Sequence, residues 1–143
     1  MRAREQRRVF IHLREMIVTN SIISPIDHEG TGMAENTGGD LLAESLLAQG
    51  VDTVFGIPGV QLDAAADALY SRSDRIDFVC PRNEQATTYK ADGYARSTGD
   101  VGVAMVVPGP GVLNALSGVA TGYSTNSPML LIAGQIDSQA IGK

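Results

Sequence analysis

The run Arg82-Asn83-Glu84-Gln85-Ala86 places a single carboxylate where a strand gives way to a helix. Residues 76–80, Ile-Asp-Phe-Val-Cys, are short, apolar and β-branched, a pattern that predicts a buried strand. Pro81 cannot donate to a continuing ladder, so the strand stops there. Asn83 is a good N-cap, and Ala86, Tyr89, Lys90, Gly93, Tyr94 and Ser97 follow at helical spacing until Gly99 ends the helix. Glu84 then takes the first helical position at the carboxyl end of a strand, the edge where open α/β sheets bind ligands. A carboxyl group in such a crevice can hold or relay a proton. In a first helical turn it also simply favours the positive end of the helix dipole, and on the local residues alone that reading is the stronger.

The other chemistry-bearing side chains fit known mechanisms poorly. Cys80 falls within the predicted strand, which implies an inert core thiol in a reducing compartment. His12 and His28 are the only histidines, and both precede the regular part of the chain, so no metal ligand set is assigned. Ser117, Ser124 and Ser127 have no histidine nearby in sequence to activate them. Gly109-Pro110-Gly111-Val112-Leu113-Asn114 follows a strand and opens a helix, as a dinucleotide-binding loop would. Asn114 stands in place of the third glycine, however, and no acidic residue marks the end of the next strand. No Gly-Lys-Ser/Thr follows, which excludes a Walker loop.

The elements that position these residues recur regularly from Thr37 onward. Thr37 caps a predicted helix whose Leu41, Leu42, Leu46 and Leu47 share a face, with Gly50 just past its end. A strand at residues 51–57 leads to the turn Pro58-Gly59, then an alanine-rich helix over about residues 61–70. After the 76–80 strand and the Glu84 helix come a strand at 101–107, the turn from Pro108 to Gly111, a helix from Val112 to about Tyr123, and a strand at 129–133. Strands alternating with helices of this length predict right-handed βαβ units. The fold class is therefore α/β, a parallel sheet with helices on both faces. Pro58-Gly59, Glu84, residues 108–111 and Gly134-Gln135 each follow a strand's carboxyl end, so a parallel sheet lines them along one rim.

Bulk properties bound the partners. The chain has 143 residues, 43% of them hydrophobic, and a net charge of −5, so no basic face is expected for nucleic acid. No stretch reaches the roughly 18 apolar residues of a membrane span. Residues 1–36 are expected to be a poorly ordered N-terminal extension. They are Arg-rich at the start and turn-rich later, with Met33 a candidate natural start; Glu5 and Glu15 weigh against a transit peptide. Residues 37–143 form the predicted domain.

Five co-linear motifs carry a resemblance. These are Val54-Phe55-Gly56-Ile57-Pro58-Gly59, Arg82 to Ala86, Ala91-Asp92-Gly93-Tyr94-Ala95-Arg96-Ser97-Thr98-Gly99, Gly109 to Asn114, and Pro128-Met129-Leu130-Leu131-Ile132-Ala133-Gly134-Gln135. Over about residues 37–136 their order, spacing and strand-end placement resemble the N-terminal pyrimidine-binding domain of thiamine-diphosphate enzymes, most closely the acetolactate synthase group. The resemblance implies binding of thiamine diphosphate, with Glu84 as the catalytic carboxyl. Its hydrogen bond to N1′ of the aminopyrimidine would favour the imino form that deprotonates the thiazolium carbon. It also implies cofactor binding by Pro58, Gly59, Glu84, Pro108, Gly109, Gly111 and Asn114, the last supporting the turn, and gives Gln135 a weaker place near the substrate.

The implied reaction decarboxylates a 2-keto acid and transfers the acyl unit, in the cytoplasm. Mg²⁺ and the diphosphate would be held by a separate domain with a Gly-Asp-Gly…Asn-Asn motif, a pattern this sequence lacks. The sheet is expected to be incomplete at its C-terminal end and the chain inactive alone. Its partners would be a homo-oligomer or a chain carrying the diphosphate domain. The alternative is a non-catalytic pyrimidine module or gene fragment that pairs with a complete homologue. Two departures from the family pattern, Asn83 where His is frequent and Pro108 where Ser or Thr is common, point to a divergent member.

Overall fold

The computed structural model describes residues 37–142; the expectations for residues 1–36 lie outside them. Four helices and four strands alternate: α1 (Gly38–Ala48), β1 (Thr53–Gly56), α2 (Asp63–Tyr70), β2 (Asp77–Val79), α3 (Glu84–Thr98), β3 (Gly102–Val106), α4 (Pro110–Thr125) and β4 (Met129–Ala133). A 3₁₀ turn, Val60–Leu62, precedes α2, and another, Ser138–Ala140, follows β4. All strand pairs are parallel and the order is β2-β1-β3-β4. The α/β parallel sheet expected from the sequence is what the chain forms.

Strand alternation divides the core into two layers. Val54, Val103 and Met105 lie in one apolar cluster with Ala43 and Leu46 of α1 and Ala65, Ala68 and Leu69 of α2. Phe55 and Ala104 point the other way, against Ala91 of α3, with Tyr94, Met129 and Leu131 around them. Each fully buried Val, Leu or Ile contributes about 1.5–3 kcal/mol, so the first layer carries most of the hydrophobic stabilisation. The second layer is built from small residues, which bring α3 and α4 close to the strands and to each other.

The helix ends follow their local chemistry. Thr37 and Asp40 form a reciprocal capping box, with Asp40 N donating to Thr37 Oγ1 at 3.1 Å and Thr37 N to Asp40 Oδ2 at 3.0 Å. Asn83 Oδ1 accepts from Ala86 N at 2.8 Å and starts α3, which Gly99 closes in the left-handed conformation.

The faces differ from the expected stripes in two helices. In α1 the buried residues are Gly39, Ala43 and Leu46, whereas Leu41 is exposed. In α3 the buried face is Thr87, Thr88, Ala91, Asp92 and Ala95, and Tyr89, Lys90, Gly93 and Ser97 face outward. Hydroxyls and alanines win over the tyrosines because α3 packs tightly between the sheet and α4, and a hydroxyl bonded to a helical carbonyl buries at little cost. The first three strands are also shorter than expected, while β4 has its expected bounds. Cys80 lies beyond β2 and is exposed, not a core thiol, because a three-residue edge strand ends before it.

Candidate functional site

The chain leaves β1 through α2 to reach β2, and leaves β3 through α4 to reach β4. β1 and β3 are neighbours, and α2 and α4 pack on opposite faces of the sheet. Their loops therefore part in opposite directions and open a crevice at the carboxyl ends, the switch point where doubly wound sheets take ligands. Gly59 stands at the β1 side of this crevice and Gly111 at the β3 side. Between them lies Val107: a Cβ on either glycine would overlap a Val107 methyl. The sequence reading placed Val107 inside the strand. Its position one residue past β3, ahead of a Pro-Gly-Pro-Gly turn, is the one local sign that it belongs to the rim.

Gly109 has φ 65° and ψ −120°, a conformation that glycine alone adopts readily, and it turns the chain so that Pro110 opens α4. Pro108 precedes it, half-buried, and Pro58 is exposed at the rim. The β4 side closes on the β1 loop, for Gly134 packs against Gln61 and Leu62 of the 3₁₀ turn. Gln135 lies on the same edge, but its Oε1 accepts from the next backbone N–H, Ile136, at 2.8 Å.

Glu84 opens α3 just after β2, on the far side of β1, and its side chain meets the first turns of α4. Asn114 Nδ2 donates to Glu84 Oε2 at 3.2 Å, and the Glu84 Cγ lies 3.7 Å from where a Gly111 side chain would begin. Among the described residues no cation pairs with Glu84 and no other hydrogen bond reaches its carboxylate. One oxygen is thus engaged and the other is available to a ligand. One turn further along, the fully buried Thr88 donates to Ala115 O of α4 at 2.8 Å, and Gly118 leaves room for its hydroxyl. Nothing in the sequence pairs residues this far apart, which is why Thr88 escaped notice there.

The residues present fit the aminopyrimidine of thiamine diphosphate. A carboxyl with a free oxygen matches a ring nitrogen, and the glycine-flanked Val107 offers an apolar surface to a flat ring. Among the described residues no group of three or more His, Cys, Asp or Glu side chains is arranged to hold a metal ion, and no helix is long and apolar enough to cross a membrane.

A doubly wound α/β domain with a carboxyl group at its switch point is the class that fold and site define. Within that class, residues 36–143 match the family described as thiamine pyrophosphate enzyme, N-terminal TPP binding domain, and the chain belongs to it. It is 43% identical over 106 residues to an acetolactate synthase large subunit of Buchnera aphidicola and to the acetolactate synthase isozyme 3 large subunit of Escherichia coli. In both cases the match covers 74% of this chain and 18% of the relative. The mitochondrial catalytic subunit of acetolactate synthase from Saccharomyces cerevisiae is 41% identical over 106 residues, 74% of this chain and 15% of its own. The chain spans less than a fifth of the length of these relatives.

Proposed function

We propose that residues 37–143 bind thiamine diphosphate through its aminopyrimidine ring, as the N-terminal part of an acetolactate synthase-like enzyme, a transferase or lyase acting on a 2-keto acid. The observation that carries this reading is Glu84, set at the switch point with one oxygen held by Asn114 and the other free. When bound, the cofactor supplies a thiazolium carbon acid whose ionisation its own aminopyrimidine assists. Glu84 holds a proton at the ring nitrogen. Gly59, Gly111 and Val107 flank the ring and limit water access, and Pro58, Pro108 and Gly109 fix the loops that carry them. Gln135 lies on the substrate side of the rim.

The diphosphate and Mg²⁺ are assigned to a separate domain whose Gly-Asp-Gly…Asn-Asn motif these 143 residues do not contain. Supporting a partner, Leu113, Leu116 and Tyr123 of α4 and Tyr89 of α3 are exposed, at 68, 46, 87 and 44%. The same surface favours the second reading, a non-catalytic module seated on a complete homologue. The unpaired, exposed Cys80 supports a reducing compartment such as the cytoplasm.

The test is titration of the isotope-labelled 143-residue chain with thiamine diphosphate, followed by NMR. Saturable shifts at the Gly59, Glu84 and Gly111 amides are expected, with affinity at least about tenfold lower in Glu84→Gln. No shift at millimolar ligand would overturn the reading. Mixed with a chain bearing the diphosphate domain, wild type but not Glu84→Gln restores consumption of pyruvate if this chain is catalytic. Stable pairing without turnover favours the second reading.

A further inference from the structure

An ionised carboxylate accepts hydrogen bonds and does not donate, so the Asn114 amide must present its NH₂ group to Glu84 Oε2. We infer that Asn114 is a positioning residue that divides the labour between the two oxygens of Glu84, keeping Oε2 as an acceptor and directing the exchangeable proton to Oε1. This rests on the reading of the crevice as the pyrimidine site.

When the Glu84 carboxyl takes up a proton, Oε2 is the disfavoured place for it, because a hydroxyl oxygen accepts from the Asn114 N–H less well than a carbonyl oxygen does. The proton sits on Oε1, the oxygen with no partner among the described residues, which is the one open to a ring nitrogen. Without Asn114 the proton would distribute over both oxygens and the carboxyl would rotate between equivalent orientations. An amide suits the task because it is neutral. A lysine at the same place would hold the carboxylate ionised, and an aspartate would set a like charge against it and raise the pH at which the pair gives up its last proton.

The surrounding structure fastens the two helices beside this contact. Asn114 is followed by Ala115, whose carbonyl accepts from the buried Thr88 hydroxyl, four residues after Glu84. A Cβ at Gly118 would overlap that hydroxyl. The two helices are therefore fastened one turn below the pair, and Asn83 fixes the start of α3 through Ala86 N. Glu84 and Asn114 face each other across this fastened pair of helices, and the Asn114 amide is the group that engages one oxygen of Glu84.

The experiment uses the 143-residue chain with thiamine diphosphate as ligand and inorganic pyrophosphate as control, following the Glu84, Gly59 and Gly111 amides from pH 5 to 8. Wild type should respond to thiamine diphosphate and not to pyrophosphate. Asn114→Ala should bind about tenfold more weakly or worse. Asn114→Asp, which keeps the size of the side chain, should bind weakly at pH 8 and recover as the pH falls and one of the two carboxyls takes a proton. A purely structural role would lower the stability of both variants and give no such pH-linked recovery. Binding by both variants within twofold of wild type at every pH would overturn the inference alone. Absence of any response in wild type would overturn the reading of the site and the inference with it.

Discussion

Two residues near the rim show what side-chain type alone conveys. Glu84 was readable from its neighbours: an asparagine that caps a helix soon after a strand sets the carboxylate in the first turn, and the structure puts it there, although the strand ends at Val79 and not at Pro81. Cys80 was not. Its apolar neighbours suggested a core strand, but the strand ends at Val79 and the thiol is exposed. In the folded chain Cys80 should therefore react with a water-soluble maleimide at a rate close to that of the denatured chain, measured by mass spectrometry. Protection by a hundredfold or more would contradict its exposure. Val107 was legible as an apolar residue but not as part of the rim, because only the three-dimensional approach of Gly59 and Gly111 defines its place.

At the level of elements, the boundaries of β4 and the caps of α1 and α3 followed from sequence, since caps and turns act over a few residues. The inward face of α3 did not. The stripe of tyrosines and Lys90 looked continuous, yet the helix buries Thr88 and Asp92 because their partners lie on α4 and the loop after it, and Thr87, whose hydroxyl is satisfied by Glu84 O of its own helix. Asp92, 5% exposed, accepts from Ser127 Oγ at 2.5 Å and pairs with Arg96 at 3.6 Å, which ties α3 to the turn before β4. Thr88→Val keeps the shape of the side chain and removes the hydroxyl, leaving Ala115 O without its side-chain donor. A loss of about 1–3 kcal/mol is expected in urea unfolding, with the m-value unchanged. An unchanged midpoint would mean that packing, and not this bond, sets the helix spacing.

For the molecule as a whole, several carboxylates are stabilised in ionised form on the flank away from the site. Hydrogen bonds from the Tyr94 hydroxyl and then Thr53 hold Asp52 below the usual carboxylate range, and the same contact pushes the Tyr94 phenol up. Thr37, followed by Arg72, lowers Asp40, and Arg72 lowers Glu44. Each of these groups is depressed in the folded state. Its contribution is complete above the unfolded value near 4 and is lost as pH falls through the lower folded value. Thermal stability should thus hold steady through neutral pH and fall below about pH 4. Tyr94→Phe should make the acid limb shallower, and an identical limb would exclude the Asp52 contact as its source. The α/β class and the rim of strand ends were legible because they depend on alternation. The order β2-β1-β3-β4 was not, for nothing local states which strands become neighbours.

That order has a consequence for the newly made chain. Of the four strands, β1 is synthesised first yet ends up inside, where Thr53 meets Asp77 on one side and Val54 meets Val103 on the other. Its second neighbour leaves the ribosome only after α3 has been made, and the Asn114 partner of Glu84 comes later still. Until then β1 presents an open edge, and the β3 side of the crevice is not yet in place. A nascent chain halted before α4 would have the Glu84 carboxylate already translated and nothing yet to aim it.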